Sequence, residues 1–205
     1  MSSPVTLTDT ATVSDLLLEE SQIDLTTLGH VVVQQFEQRQ RLPGVVVLDG
    51  DTIVGLISRR QLYQSLSQPY ALEIFLRRPI RIFLDLNPSC RLPLILNYQE
   101  SVQSGVRKAL SRPAQDLFEP LVVQIEHPQL PHLSSAFLLD FHTLMLAHTQ
   151  IAAAVNQKMQ DQQRQLLAQQ TQLKTYAQQL ERHQGMIAER NNQLDRKSTR
   201  LNSSH

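Results

Sequence analysis

Apolar residues recur every seventh position at Met159, Leu166, Leu173, Leu180, Ile187 and Leu194, in a stretch otherwise rich in Gln, Lys, Arg and Glu. Such spacing keeps one stripe of an α-helix facing a partner, so this segment reads as a coiled coil. If the row occupies d positions, the a row is Gln163, Gln170, Ala177, Gln184 and Asn191. With one core row apolar, the seam buries about half the surface of a strong zipper, and polar a residues trade stability for register. Gly185 weakens the helix further, by roughly 1 kcal/mol relative to Ala. The pattern predicts a pliable rod, read as a parallel homodimer. A lone amphipathic helix packed on its own domain is the alternative, but such a helix usually shows a wider apolar face.

Upstream the periodicity changes. Val45–Leu48 is a β-branched run, Asp49-Gly50-Asp51 is turn chemistry, and Ile53–Ile57 forms a second short strand. Ser58 then caps a helix through Arg59, Arg60, Gln61, Leu62, Tyr63 and Leu66, stopped before Pro69. Leu28, Val31, Val32, Gln35 and Phe36 give helical spacing over 27–38. A fainter copy follows: a helix over 100–110, a strand at Pro120–Val123, a loop with His127, Pro128 and Pro131, a strand at Ser135–Leu139, and Asp140 capping a further helix. The copies superpose with Val45–Leu48 over Leu121–Gln124 and Gly55–Ile57 over Ala136–Leu138. Between them IFLRRPIRIFLDL is a Pro-broken apolar and basic insert, for which a helix followed by a strand is expected.

Composition narrows the class. The 205 residues carry formal net charge +0 and one cysteine, Cys90. No global field favours nucleic acid, and a disulfide within one chain is excluded. Cys90 reads as a small buried apolar residue beside a Pro-bounded loop. Apolar runs fall short of the ~20 residues that span a bilayer, and Met1–Asp9 is no signal peptide. A cytoplasmic protein without a membrane span is the expectation. Arg77, Arg78 and Arg81 cluster around Pro79, and read as charges rimming an insert that packs by Ile74, Phe75, Ile80, Ile82 and Phe83.

Leu42–Leu66 resembles the second half of a CBS motif: an apolar-Pro strand, an acidic-Gly turn, a strand with Gly, then Ser or Thr opening a helix. The resemblance extends over 13–150 as a tandem pair, a Bateman module. With its trailing Gln-rich coil the chain is similar to N-terminal regions of bacterial signalling proteins that continue into histidine kinase, diguanylate cyclase or related output domains. The implied fold is α/β, with tandem CBS-like β-α-β units followed by a long α-helical coiled coil. The implied organisation is a disordered N-terminus (1–12), a first unit (13–69), an insert (70–92), a second unit (93–145) and a signalling helix (146–194). The implied ligand is an adenine nucleotide gripped through its ribose by Ser or Thr and by an Asp three positions later. Here those positions hold Ser58 and Gln61 in the first unit and Asp140 and Thr143 in the second. A carboxylate accepts two hydrogen bonds from a ribose diol where Gln accepts one comparably. Arg59 and Arg60 offer bidentate contacts to phosphates, or else lie solvated on the exposed face of the helix. Nucleotide binding, binding of another anion, and a purely dimerising scaffold all stay open.

Catalytic patterns are lacking. The six glycines are scattered, so no phosphate loop forms. His127 and His132 are five apart with no second pair, and His142 and His148 fall on different faces of one helix, so zinc spacing and any metal site are not indicated. His183 lacks the context of a phospho-acceptor. This stretch is therefore not read as an enzyme, although a longer chain bearing a histidine kinase or diguanylate cyclase would be one. Asp195–His205, DRKSTRLNSSH, back-translates into the adaptor ligated to fragments in short-read DNA sequencing. The tail at 195–205 is accordingly expected to be artefactual and the natural product to continue. The functional expectation is a regulatory input module that gates an output domain through a dimeric coiled coil.

Overall fold

The computed structural model describes residues 8–125 and 135–202, with side chains of the last helix described as far as 192. The loop holding His127, Pro128, Pro131 and His132, and the side chain of Leu194, lie outside the described residues. The chain divides into two compact units at Ala154/Val155, a body and a rod.

The body is built from two β-α-β-β-α repeats. In the first, β1 (Gln22–Asp24) leads to α1 (Gly29–Gln38), β2 (Gly44–Asp49), β3 (Thr52–Ser58) and α2 (Arg59–Leu66). β1 pairs parallel with β2, and β2 pairs antiparallel with β3 across a turn where Gly50 takes φ 61°. That left-handed value suits a residue without Cβ. After the insert come β4 (Ile95–Asn97), α5 (Val102–Leu110), β5 (Leu121–Ile125) and β6 (Ser135–Leu139), in the same pairing pattern. The hairpin and the helices flanking it match the sequence expectation. Strands β1 and β4 were not expected, because three residues with one buried side chain each, Ile23 and Leu96, are too short to display alternation.

Three expectations are corrected. First, the repeats align one residue further along the second strand than proposed. Val46 pairs with Leu56, and its counterpart Val122 pairs with Leu138, so Gly55 corresponds to Phe137 and not to Ala136. A one-residue slip would exchange the inner and outer faces of the strand. Second, the insert holds no strand. It forms α3 (Ala71–Phe75), α4 (Ile80–Leu86) and a 3-10 turn at Pro88–Arg91. Ile80, Ile82 and Leu84 look alternating, yet the buried set is Ile80, Phe83 and Leu84, which is helical spacing. Third, of the N-terminal stretch expected to be disordered (1–12), residues 8–12 are held by backbone contacts, and 1–7 lie outside the described residues. The Val13 amide donates to the Glu100 carbonyl, the Val102 amide donates to the Ala11 carbonyl, and Thr12 bridges Ser101, so the segment is fixed to the start of α5.

The insert also closes the start of α1. The Gly29 and His30 amides, which have no partners inside their own helix, donate to the Arg78 and Leu76 carbonyls at 3.0 Å each. One apolar core runs through the first repeat and into the second, joining Phe36, Val46, Leu56 and Phe83 to Val122, Ala136 and Leu138. Chain crossings reinforce it: Glu19 and Leu138 exchange both backbone hydrogen bonds, and Gln22 Nε2 donates to the Ala136 carbonyl at 2.7 Å.

The final helix, α6, spans Phe141–Asn202. Its first turns bury Phe141, Leu144, Ala147 and Ile151 in the body. Within the rod, every described side chain from Asn156 to Asn192 is exposed. Met159, Leu166, Leu173, Leu180 and Ile187 are 57–68 % exposed. No helix among the described residues is long and apolar enough to cross a membrane.

Candidate functional site

The residues proposed to grip a ligand sit at the start of α2 and α6. Ser58 is 2 % exposed and caps α2: its Oγ accepts from the Gln61 amide at 3.0 Å. Gln61 Oε1 accepts in return from the Ser58 amide (3.3 Å) and hydroxyl (3.2 Å). This reciprocal capping box satisfies orphan donors of the first turn and occupies the two groups assigned to a ribose. Asp140 stands at the equivalent place before α6, its carbonyl accepting from the Leu144 amide. Ser58, Arg59 and Asp140 line a common cavity of about 300 Å³ with Arg60, Tyr63 and Phe118. Gln61 faces the other way, and half-buried Thr143 lines none of the cavities described here.

Arg59 does not point at a free anion site. Its guanidinium donates to the carbonyls of Phe36 (2.7 Å), Arg39 (2.6 Å) and Leu42 (3.1 Å) and stacks 4.8 Å from the centroid of the Phe36 ring. It therefore closes the end of α1 and fixes the loop entering β2. Arg112 does the same after α5, donating to Ala109, Leu117 and Glu119 carbonyls and lying 5.9 Å from the Phe141 ring centroid. Each repeat thus uses one guanidinium fork to hold the loop before its central strand, a role that planar multi-donor geometry suits and a lysine cannot reproduce. Arg60 is committed too. Its Nε donates to Glu119 Oε1 at 2.8 Å and its Nη2 to the Gln115 carbonyl at 2.8 Å, tying α2 to the second repeat.

Around that tie lie two adjoining cavities. The inner one, about 250 Å³, is walled largely by Leu56, Leu92, Pro93, Leu94, Pro113 and Pro120, with Arg112 and Glu119 among its polar members. The outer one, about 470 Å³, is polar, with Arg60, Gln64, Gln68 and Asn87 on its wall. Gln61, Ser89, Cys90 and Asp116 face both. The Cys90 thiol donates to Gln61 Oε1 at 3.4 Å. Sequence reasoning missed Asp116 and Glu119. The one available signal was a carboxylate immediately before Pro120, inside the apolar context Leu117-Phe118-Glu119-Pro120-Leu121.

Burial, with the Glu119 charge second, pushes the Cys90 thiol from 9.0 up to about 11. The folded state therefore holds this proton more tightly than the unfolded chain. Its contribution is complete below pH 9.0 and is lost as pH rises through about 11. Urea unfolding of wild type and Cys90→Ala between pH 8 and 10.5 should show a steeper alkaline loss in wild type, approaching roughly 2–3 kcal/mol across the full window. Parallel curves for the two proteins would contradict this assignment.

Neither a family model nor a curated protein matches the chain. Among solved structures, similar ones are CBS-domain proteins. A CBS-domain-containing protein from Agrobacterium tumefaciens has a TM-score of 0.47 at 12 % identity, covering 68 % of this chain and 94 % of that one. The CBS domain of a bacterial CNNM/CorC family Mg2+ transporter in complex with ATP has a TM-score of 0.47 at 12 % identity, covering 70 % and 89 %. CBSX2 in complex with AMP has a TM-score of 0.43 at 17 % identity, covering 69 % and 98 %.

Proposed function

We propose that the body is a tandem CBS-like regulatory module that responds to an adenine nucleotide, and that the rod pairs two copies and transmits the change to an output domain. The observation that carries this reading is the cleft beside α2. It lies where the ion pair of Arg60 with Glu119 joins the two repeats, and its apolar inner and polar outer cavities share Gln61 and Cys90. A ligand that favours one arrangement of the repeats over the other shifts their equilibrium only by its difference in affinity. Titration calorimetry with AMP, ATP, S-adenosylmethionine and cyclic dinucleotides tests it: a saturable heat with AMP or ATP is expected. The capping box that occupies Ser58 and Gln61 favours a second reading, a dimerising scaffold without ligand, and no heat with any of the four would select it.

Pairing through the rod has its own test. The exposed row Met159, Leu166, Leu173, Leu180 and Ile187 is self-complementary in a parallel pair. Sedimentation equilibrium should give a dimer for wild type and a monomer for Leu173→Asp/Leu180→Asp, since charges at two central d positions remove a large part of a seam that is already half polar. A dimeric double variant would place the contact elsewhere.

A further inference from the structure

The side chain of Glu119 is 8 % exposed and only one of its oxygens is used. Oε1 takes the Arg60 guanidinium, while Oε2 is buried without a hydrogen-bond partner. A buried acceptor left open is costly, more so when it carries charge. Glu119 lines the inner cavity together with Arg112, whose charge acts on it, yet no side chain there gives Oε2 a hydrogen bond. Arg112 spends Nε and Nη2 on three backbone carbonyls, Gln61 Oε1 is already an acceptor, and Asp116 adds a second carboxylate. The thiol of Cys90 on the same wall is raised in part by the Glu119 charge, so the field of that carboxylate reaches into the cavity.

We infer that Glu119 is a specificity residue of the cleft: its free oxygen accepts a hydrogen bond from an amino-bearing ring that enters the inner cavity, and rejects a ring carrying a carbonyl there. This rests on the nucleotide reading above and deepens it. Two carboxylates against the single guanidinium of Arg112 leave the inner wall acidic, which disfavours phosphate there, so the base end goes inward and the charged end stays in the outer cavity with Arg60, Gln64, Gln68 and Asn87. The small inner volume suits a single base. A 6-amino purine donates its exocyclic N–H to Oε2, whereas a 6-oxo purine in the same pose sets its O6 lone pairs against the carboxylate and must shift to offer its N1–H instead. Sites built around a buried polar group discriminate strongly against a ligand that leaves the group unpaired.

The test compares AMP, IMP and purine riboside 5′-monophosphate on the full chain by calorimetry, then repeats AMP and IMP on Glu119→Gln. Wild type should bind AMP at least about tenfold tighter than IMP, with the unsubstituted purine in between. In Glu119→Gln the gap should shrink to less than about threefold, because an amide both accepts from an amino group and donates to a carbonyl. Equal affinities in wild type, or a gap that survives in Glu119→Gln, would overturn the inference and leave nucleotide sensing standing. Absence of binding by all three would remove both. Should Glu119→Gln fail to fold by circular dichroism, the order of the three ligands on wild type still decides.

Discussion

Replacing Gly29 by alanine should destabilise the body by about 3 kcal/mol, although the same change at the first position of most helices is neutral or helpful. The reason is space. A Cβ on Gly29 would lie 2.1 Å from the Phe75 carbonyl oxygen and 2.9 Å from its carbon, both backbone atoms. These cannot swing aside as a flexible side chain would. Relief requires the insert to lift away, which threatens the donations from Gly29 and His30 to the Arg78 and Leu76 carbonyls and the 2.7 Å bond from the Ile80 amide to Thr27. Overpacking alone costs about 1–3 kcal/mol, and each buried amide stripped of its acceptor adds a comparable amount. Urea denaturation of wild type and variant measures the difference. A variant as stable as wild type would mean that the insert does not sit against α1 as described.

Arg59→Ala should cost about 2–3 kcal/mol while leaving AMP affinity within about twofold. Three carbonyls lose a charged donor, and the Phe36 ring loses the guanidinium stacked over it. Part of this site is open to water, which holds the figure below the sum of three buried bonds. Arg59→Lys should recover little, because one ammonium cannot reach three acceptors spread around a plane. The contrast separates two roles. An arginine that gripped a phosphate would show the opposite pattern, with affinity falling steeply and the unfolding midpoint barely moving. Calorimetry and denaturation on the same preparations read both.

Much of the fold was legible because it is local. The Asp49-Gly50-Asp51 turn, the β-branched run before it and the Ser58 cap each specify themselves within a few residues. What escaped depends on partners far along the chain. Strands β1 and β4 exist because β2 and β5 offer them an edge. The misalignment of the repeats has a physical source as well. Gly55 was laid over Ala136, yet Gly55 is small because the Cys90 carbonyl and the Leu84 side chain come within 2.9 Å of where its Cβ would be. Both belong to the insert region, which follows only the first repeat. Ser58 was expected to cap α2, but the reciprocal half of the capping box, supplied by Gln61, was not foreseen. Glu119 was missed because its single signal, a carboxylate before Pro120 in an apolar context, does not by itself disclose burial.

The N-terminal strap has a consequence for how the molecule is made. Residues 11–19 find partners at Tyr98, Glu100, Ser101, Val102 and Leu138, all in the second repeat. On the ribosome, synthesis proceeds from the amino end, so these first residues wait unpaired until most of the body has been translated. The two repeats cannot mature one after the other as beads on a string, and severing the chain between them would leave each piece without a strand-edge partner that only the other supplies.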